Sequence, residues 1–228
     1  MFKKFLGGLT NRNVLYYPGC LSKFAEIDIA NNYLKILRFL GINVITLKDF
    51  ELCCGLPALN AGYKEDFNDL KEKNLKIFQE HGVGKIITNC PACYHIFSKV
   101  YGIETEHITQ ILVKHANKFK KWYANEKVTY HDPCYLGRYS KIYDEPRQIL
   151  KEIGFDVVEF DRNKSKSFCC GGGGGLKTNS PTIANEIAKE RLRQCKTKKI
   201  ITTCPMCYAH LKENAQGIEV LELSEVLI

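Results

Sequence analysis

The sequence predicts an α/β protein of two homologous lobes, each with a small parallel sheet, related by internal duplication. Two observations carry that prediction: cysteines and their flanks recur in the same order in the two halves, and short β-prone runs alternate with helical segments in each half. The first half places Cys20, then Cys53-Cys54 followed by Gly55, then Cys90 and Cys93. The second places Cys134, then Cys169-Cys170 followed by Gly171, then Cys204 and Cys207. The flanks agree as well. Lys85-Ile-Ile-Thr-Asn-Cys90-Pro-Ala-Cys93-Tyr matches Lys199-Ile-Ile-Thr-Thr-Cys204-Pro-Met-Cys207-Tyr, and Tyr16-Tyr-Pro-Gly-Cys20-Leu corresponds to Tyr130-His-Asp-Pro-Cys134-Tyr. Cys20 to Cys134, Lys85 to Lys199 and Cys90 to Cys204 are each 114 residues apart, far beyond a solenoid period. A whole domain is therefore duplicated. The expected division is an N-terminal extension over 1–12, a first domain over 13–118, a lysine-bearing linker over 119–127 and a second domain over 128–228.

The elements follow in order. Val14–Tyr17 and Val128–His131 are short β-prone runs ending at Pro-containing turns that carry Cys20 and Cys134. A helical segment comes next, with Ile29, Leu34, Leu37 and Leu40 at helical spacing in the first half. Gly41 and Gly154 stop these helices and lead into expected strands over Ile42–Leu47 and Phe155–Phe160. After the Cys-Cys-Gly turns, helices are expected around Asp66–His81 and Thr182–Cys195, then strands at Lys85–Thr88 and Lys198–Thr202. Cys90 and Cys204 stand where strand gives way to helix, with Pro91 and Pro205 at the favoured first helical position. Parallel sheets made this way are Rossmann-like, and their loops gather at the carboxyl ends of the strands, where ligands bind. All three cysteine elements of each half lie on such loops.

Composition narrows the function classes. The chain has 228 residues and a formal charge of +8, but its lysines are scattered, without a basic block interleaved with aromatics. That pattern is a solvated surface, not a nucleic-acid interface; it also suits docking to an acidic redox partner. No apolar run reaches the length of a membrane span. The opening Met1-Phe-Lys-Lys-Phe-Leu-Gly-Gly-Leu is too short in apolar residues for a secretory signal; it reads as a loosely ordered end, with a short amphipathic foot as the alternative. Eleven cysteines without a signal peptide point to metal ligation in a reducing cytoplasm, with membrane contact, if any, made through a partner.

Four chemistries compete for the cysteines. Adjacent cysteines cannot comfortably bond to each other, which weakens the disulfide reading. The Cys90-Pro-Ala-Cys93 and Cys204-Pro-Met-Cys207 motifs at helix starts suit thiol–disulfide exchange, yet leave Cys20, Cys53 and Cys54 idle. Zinc in one lobe is possible, although five ligands exceed its four. An iron–sulfur cluster suits the pattern best, because its several metal atoms let neighbouring cysteines reach different irons or bridge two. Glycines at Gly55 and over Gly171 to Gly175, among them Gly172 and Gly173, let backbone approach a bulky cluster and aim N–H groups at its sulfurs. A phosphate cradle lacks the Lys-Ser/Thr of a P-loop.

This doubled pattern of Cys, Cys-Cys-Gly and Cys-x-x-Cys resembles the cysteine-rich CCG domain, from roughly Val14 to Leu223. It is similar to the B subunit of heterodisulfide reductase and to the CCG half of the D subunit. The strings His131-Asp-Pro-Cys134-Tyr-Leu-Gly-Arg138, Tyr143-Asp-Glu-Pro-Arg147 and Phe168-Cys-Cys-Gly resemble the D branch most. The resemblance implies two [4Fe-4S] clusters of a non-cubane kind. Cys20, Cys53, Cys54, Cys90 and Cys93 would hold one; Cys134, Cys169, Cys170, Cys204 and Cys207 would hold the other. It further implies reduction of a disulfide between the clusters. No ferredoxin-like run of cysteines accompanies them, so electrons are expected from a ferredoxin-like iron–sulfur subunit, with a flavoprotein or membrane cytochrome subunit as a further partner. The alternative within the same family is an electron-transfer subunit for a flavin-dependent glycolate, lactate or glycerol-3-phosphate dehydrogenase.

Beyond the cysteines, His131 is a candidate to hydrogen-bond a cluster sulfur or protonate a departing thiolate, with a structural turn histidine as the alternative. Arg138 is a candidate to neutralise cluster charge or meet an anionic substrate, against an ordinary surface salt bridge. His95 and His210 read as structural, and Cys195 as a spare thiol.

Overall fold

The computed structural model describes residues 13–228; the N-terminal extension and its amphipathic foot lie outside the described residues. The first lobe runs β1 (Asn13–Tyr16), α1 (Cys20–Phe24), α2 (Ile27–Phe39), α3 (Leu56–Asn60), α4 (Lys64–Glu80), β2 (Val83–Thr88), α5 (Pro91–Ile96), β3 (Thr105–His107) and α6 (Ile108–Lys114). The second runs β4 (Lys127–His131), α7 (Asp144–Glu152), β5 (Asp156–Val157), α8 (Leu176–Asn179), α9 (Pro181–Arg193), β6 (Lys199–Thr202), α10 (Pro205–Asn214) and β7 (Glu219–Glu222). All strand pairs are parallel, in the orders β1-β2-β3 and β5-β4-β6-β7. The protein is thus an α/β molecule with two small parallel sheets. Among the described residues no helix is long and apolar enough to cross a membrane.

The two sheets share one plan. The strand expected over Ile42–Leu47 contracts to a single bridge, Leu15 to Ile45, because the chain turns at Leu47 into a 3-10 turn over Lys48–Phe50. That bridge lies beside β1 as β5 lies beside β4. The strand expected over Phe155–Phe160 likewise shortens to β5, two residues paired with Lys127 and Val128. Helix spacing explains the rest. In α2, Ile29, Ala30, Tyr33, Ile36 and Leu37 recur on one face and are buried, and Pro181 opens α9 where its missing N–H costs nothing.

The lobes are packed into each other. One core runs through both, joining Ile29, Ile36, Leu37, Ile108, Ile111 and Leu112 to Ile149, Leu150, Ile153 and Leu211. A second core, around Leu15, Phe67, Phe78, Ile86 and Phe97, belongs to the first lobe. Helix α6 packs on α7, and α2 packs on the turn over Leu223–Val226. Tyr33 of α2 donates its hydroxyl hydrogen bond to Glu222 of β7 at 2.7 Å, both groups buried.

Candidate metal centres

Each cysteine group is assembled at the carboxyl edge of its sheet. Cys20 opens α1 directly after β1. The preceding Gly19 lies so close to the Cys-x-x-Cys turn that a Cβ on it would meet Cys93 Sγ at 3.2 Å and Cys90 Cβ at 3.3 Å. Cys90 and Cys204 occupy extended N-cap positions with Pro91 and Pro205 next. Gly55 and Gly171 both take φ of +84°. Added side-chain carbons would strike the Phe67 ring at 2.8 Å and the Ala184 carbonyl oxygen at 2.7 Å respectively, so each Cys-Cys turn needs glycine there.

The thiols then meet in one contact order, repeated in both lobes. The first chain of sulfur contacts is Cys20–Cys53–Cys54–Cys93–Cys90, and the second is Cys134–Cys169–Cys170–Cys207–Cys204. Hydrogen bonds from Cys20 and Cys54 hold Cys53 down to about 2, and those from Cys134 and Cys170 hold Cys169 down to about 2. Their outer neighbours Cys20 and Cys134 are pushed up by the same contacts. Backbone N–H groups add to this: Gly55 donates to Cys53 Sγ at 3.5 Å, Gly171 to Cys169 Sγ at 3.3 Å and Gly172 to Cys170 Sγ at 3.4 Å. Cys20 and Cys169 are exposed, whereas Cys54, Cys93, Cys170, Cys204 and Cys207 are buried, so each group has one edge at the surface. Cys195 stands apart from both, its thiol donating to the Thr197 carbonyl at 3.2 Å.

Both groups border the seam between the lobes. The π-helical turn Tyr135–Tyr139, which follows Cys134, packs against α5, which carries Cys93; reciprocally α1, opened by Cys20, packs against α10, which carries Cys207. Tyr135 accepts a hydrogen bond on its hydroxyl from Asn60 at 2.9 Å, and His95 lies 5.5 and 5.6 Å from the rings of Tyr135 and Tyr139. His210 sits on Gly172, where a Cβ would meet its own at 2.9 Å, and shares a hydrogen bond with the Ala184 carbonyl at 3.1 Å. A Cβ on Gly173 would meet nothing within 4 Å. A cleft of about 710 Å³ is lined by Asp144, Arg147, Lys151, Glu159 and Lys164 and by no cysteine, so it is not part of either group.

Family models describe the same duplication. The cysteine-rich CCG domain matches residues 14–98 and again 128–212. The chain belongs to the CCG cysteine-rich domain family. It is 32% identical over 240 residues to the B subunit of the fumarate reductase (CoM/CoB) of Methanothermobacter marburgensis, covering 99% of this chain and 48% of that one. It is 28% identical over 235 residues to the D subunit of the dihydromethanophenazine:CoB–CoM heterodisulfide reductase of Methanosarcina acetivorans, covering 95% and 58%. To the EtfAB:quinone oxidoreductase of Syntrophomonas wolfei it is 31% identical over 232 residues, covering 93% and 32%. The chain thus spans between about a third and three-fifths of the length of these relatives.

What surrounds the CCG cysteines tests whether an anionic iron–sulfur group fits. Arg191 of α9 is wholly buried, with its guanidinium 3.3 Å from the centre of the Phe160 ring. It donates to His131 Nδ1 at 3.1 Å, to the Arg162 carbonyl at 3.2 Å and to Ser167 Oγ at 3.3 Å. Among the described residues it has no carboxylate within ion-pair distance; Asp132, the acid beside His131, is taken by Arg147 at 2.8 and 2.9 Å. A buried cation without a counter-ion is costly. Asp132 acts on it only at a distance, the thiols of the second lobe are the other acidic groups at hand, and an anionic cluster on them would supply the missing charge. A ring nitrogen of His131 lies within 4.8 Å of the sulfurs of Cys170 and Cys207. Burial and the Arg191 charge hold its imidazole down to about 3, so it is neutral at ordinary pH, and the donation into Nδ1 leaves its N–H on Nε2. Arg138 is half-buried and donates to the Ser167 carbonyl. Among the described residues it makes no salt bridge, unlike the surface pair its position suggested.

The 114-residue offset places Tyr17 where the second lobe has His131, and Tyr17 donates its hydroxyl to the Leu52 carbonyl. That exchange was readable in the aligned repeats. Arg191 had no comparable signal: on an amphipathic helix it reads as one more surface cation.

Proposed function

We propose that the chain is the two-centre iron–sulfur subunit of an oxidoreductase that reduces a disulfide. The observation that carries this reading is the completeness of both lobes: five thiols apiece, in one contact order, each group with an exposed sulfur edge beside the seam. Cys20, Cys53, Cys54, Cys90 and Cys93 hold the first cluster and Cys134, Cys169, Cys170, Cys204 and Cys207 the second. When bound, two [4Fe-4S] clusters of the non-cubane kind supply one-electron chemistry. The residues of the chain position and tune. The N–H groups of Gly55, Gly171 and Gly172 stabilise negative charge on sulfur, and Arg191 offsets it in the second lobe. The overall change is R–S–S–R′ with two electrons and two protons to give two thiols. The electrons come from a ferredoxin-like iron–sulfur subunit, and a neutral buried His131 acts as a hydrogen-bond donor, leaving the protons to solvent at the exposed edge.

A second reading is an electron relay serving a flavoprotein, and the similarity to the EtfAB:quinone oxidoreductase favours it specifically. A zinc ion in the second lobe is disfavoured by the Arg191 guanidinium donating to the same His131 that would ligate it. The deciding experiment is iron, acid-labile sulfide and zinc per chain in protein purified without oxygen. It is followed by thiol release from disulfides under a low-potential donor. About eight irons with matching sulfide, and thiol release, support the proposal. About four irons with one zinc sinks it, and two clusters without thiol release from any disulfide moves the assignment to the relay.

A further inference from the structure

The two lobes match in their cysteines and differ in what surrounds them. At the 114-residue offset, His131 and Arg138 of the second lobe stand where the first has Tyr17 and Phe24. In the helices that follow, Gly55 lies on Phe67 and Leu70 as Gly171 lies on Ala184 and Ile187, and this register puts the buried, neutral Asn74 where the second lobe has the buried Arg191. The second group therefore has a buried guanidinium with no carboxylate partner, a half-buried one on a backbone carbonyl, and an imidazole beside Cys170 and Cys207. Arg147 brings no positive excess: Asp132 and Glu159 both bind it, so that trio carries one net negative charge, and the positive surplus around the second group comes from Arg191 and Arg138 together.

Around the first group the balance is different. Tyr17 turns its hydroxyl to the Leu52 carbonyl, and its ionisable neighbours besides the cysteines come down to Glu51. Lys23 reaches the carbonyls of Lys48 and Glu51 and faces the Glu51 carboxyl, which burial raises to about 7, so the lysine is partly offset there and, unlike Arg191, is not wholly buried. Asn74 and Tyr101 donate to the carbonyls of Cys53 and Cys54 and not to sulfur. Adding an electron to a cluster adds negative charge, and fixed positive charge in a poorly solvated site stabilises that state more than the oxidised one.

Resting on the two-cluster reading, we infer that the centres are electronically unequal: the second lobe, with Arg191, His131 and Arg138, holds the higher-potential centre where electrons collect, and the first lobe is the entry side. Arg191 is a positioning residue. It fixes the His131 tautomer, keeps the N–H on Nε2 and brings a buried charge to within one side chain of the sulfurs. Electron flow is then directional, from Cys20 and its group to Cys134 and its group across the seam where α5 meets the Tyr135 turn.

The test is a redox titration of the full chain, prepared without oxygen and first shown by iron and sulfide content to hold two clusters, followed by electron paramagnetic resonance. The expected result is two separate midpoints, the first electron preferring one centre at least tenfold, which is about 59 mV for a one-electron couple. His131→Tyr and Arg191→Met are expected to lower the upper midpoint alone, Arg191→Lys to restore it, and Tyr17→His to raise the lower one. Both tyrosine–histidine exchanges place at each site a residue that the other lobe already holds there, so they decide the matter even where Arg191→Met fails to load iron. Coincident midpoints, or an upper midpoint that follows Tyr17 in place of His131, overturn the inference while leaving the two-cluster reading intact. A chain that holds fewer than two clusters overturns that reading and the inference with it.

Discussion

At the scale of single residues, the cysteines divide by contact, and that division is measurable. Cys54 stands in the middle of its chain of thiols, while Cys195 touches only the Thr197 backbone and hydroxyl among hydrogen-bond partners. On the proposed two-cluster reading, Cys54→Ser is expected to remove the first cluster and lower iron from about eight to about four per chain, and Cys195→Ser to leave iron unchanged, as read by iron and sulfide assay. His107 gives a second residue-scale prediction, from a side chain that bonds no thiol although its partner Asn89 adjoins Cys90. It is wholly buried, bonded to Thr109 Oγ1 at 2.8 Å and facing the Asn89 carbonyl, and burial holds it down to about 3. The unfolded chain therefore binds a proton near pH 6.5 that the folded chain refuses until about pH 3, and stability falls as pH falls through that window. His107→Gln is expected to reduce the slope of unfolding free energy against pH, between about 6.5 and 4, by about 1.4 kcal/mol per pH unit in denaturant titrations. The cysteines were legible in the sequence because a repeat makes chance placement untenable. The partnerless charge of Arg191 was not, since whether a cation is paired depends on residues brought together by the fold.

At the scale of elements, the Cys-Cys-Gly turns are the strained parts. In Gly171 a left-handed backbone coincides with a backbone oxygen where a Cβ would go; Gly173, two residues on, has open space. Gly171→Ala is expected to cost about 1–2 kcal/mol for the left-handed backbone and more for the clash, and to lower cluster retention. Gly173→Ala is expected to stay within about 0.5 kcal/mol, both measured by thermal unfolding and iron content. Strand–helix alternation, the proline-opened helices and the cysteine-bearing loops could all be read from local pattern. Strands β3 and β7 could not: Thr105–His107 and Glu219–Glu222 are short and mix charged residues with apolar ones, and only pairing with β2 and β6 makes them strands. The opposite error arose over Ile42–Leu47 and Phe155–Phe160, where β-prone composition outlasts the pairing available at the sheet edge.

At the scale of the whole molecule, a sequence that reads as two repeats folds as one body, because the repeats exchange contacts. Tyr33 and Glu222 tie α2 to β7, and burial pushes the Glu222 carboxyl up to about 7. An acid whose folded value is raised gives stability at low pH that is lost as pH rises through about 4.5 to 7. Glu222→Gln keeps Tyr33 donating to its amide oxygen but turns its NH2 toward the Ser224 N–H, which now donates to Oε2 at 2.7 Å. It is therefore expected to flatten the loss of stability between pH 5 and pH 7, by about 1.4 kcal/mol per pH unit in denaturant titrations, at a constant cost for the lost cap. The larger tie is the shared core. Ile149 is buried in α7 within the cluster that contains Ile108, Ile111 and Leu112 of α6, so the damage from Ile149→Ala should not stay in its own lobe. A loss of about 2–5 kcal/mol is expected from the cavity. Hydrogen exchange locates it: if the lobes unfold together, β2 in the first lobe and β6 in the second lose protection by the same free energy. Loss confined to β6 would mean that each lobe opens alone, and the seam beside both cysteine groups would then be a hinge and not a fixed spacing. Equal loss means that the separation between the two cysteine groups is set by the core itself, as the proposed electron transfer between two clusters would require.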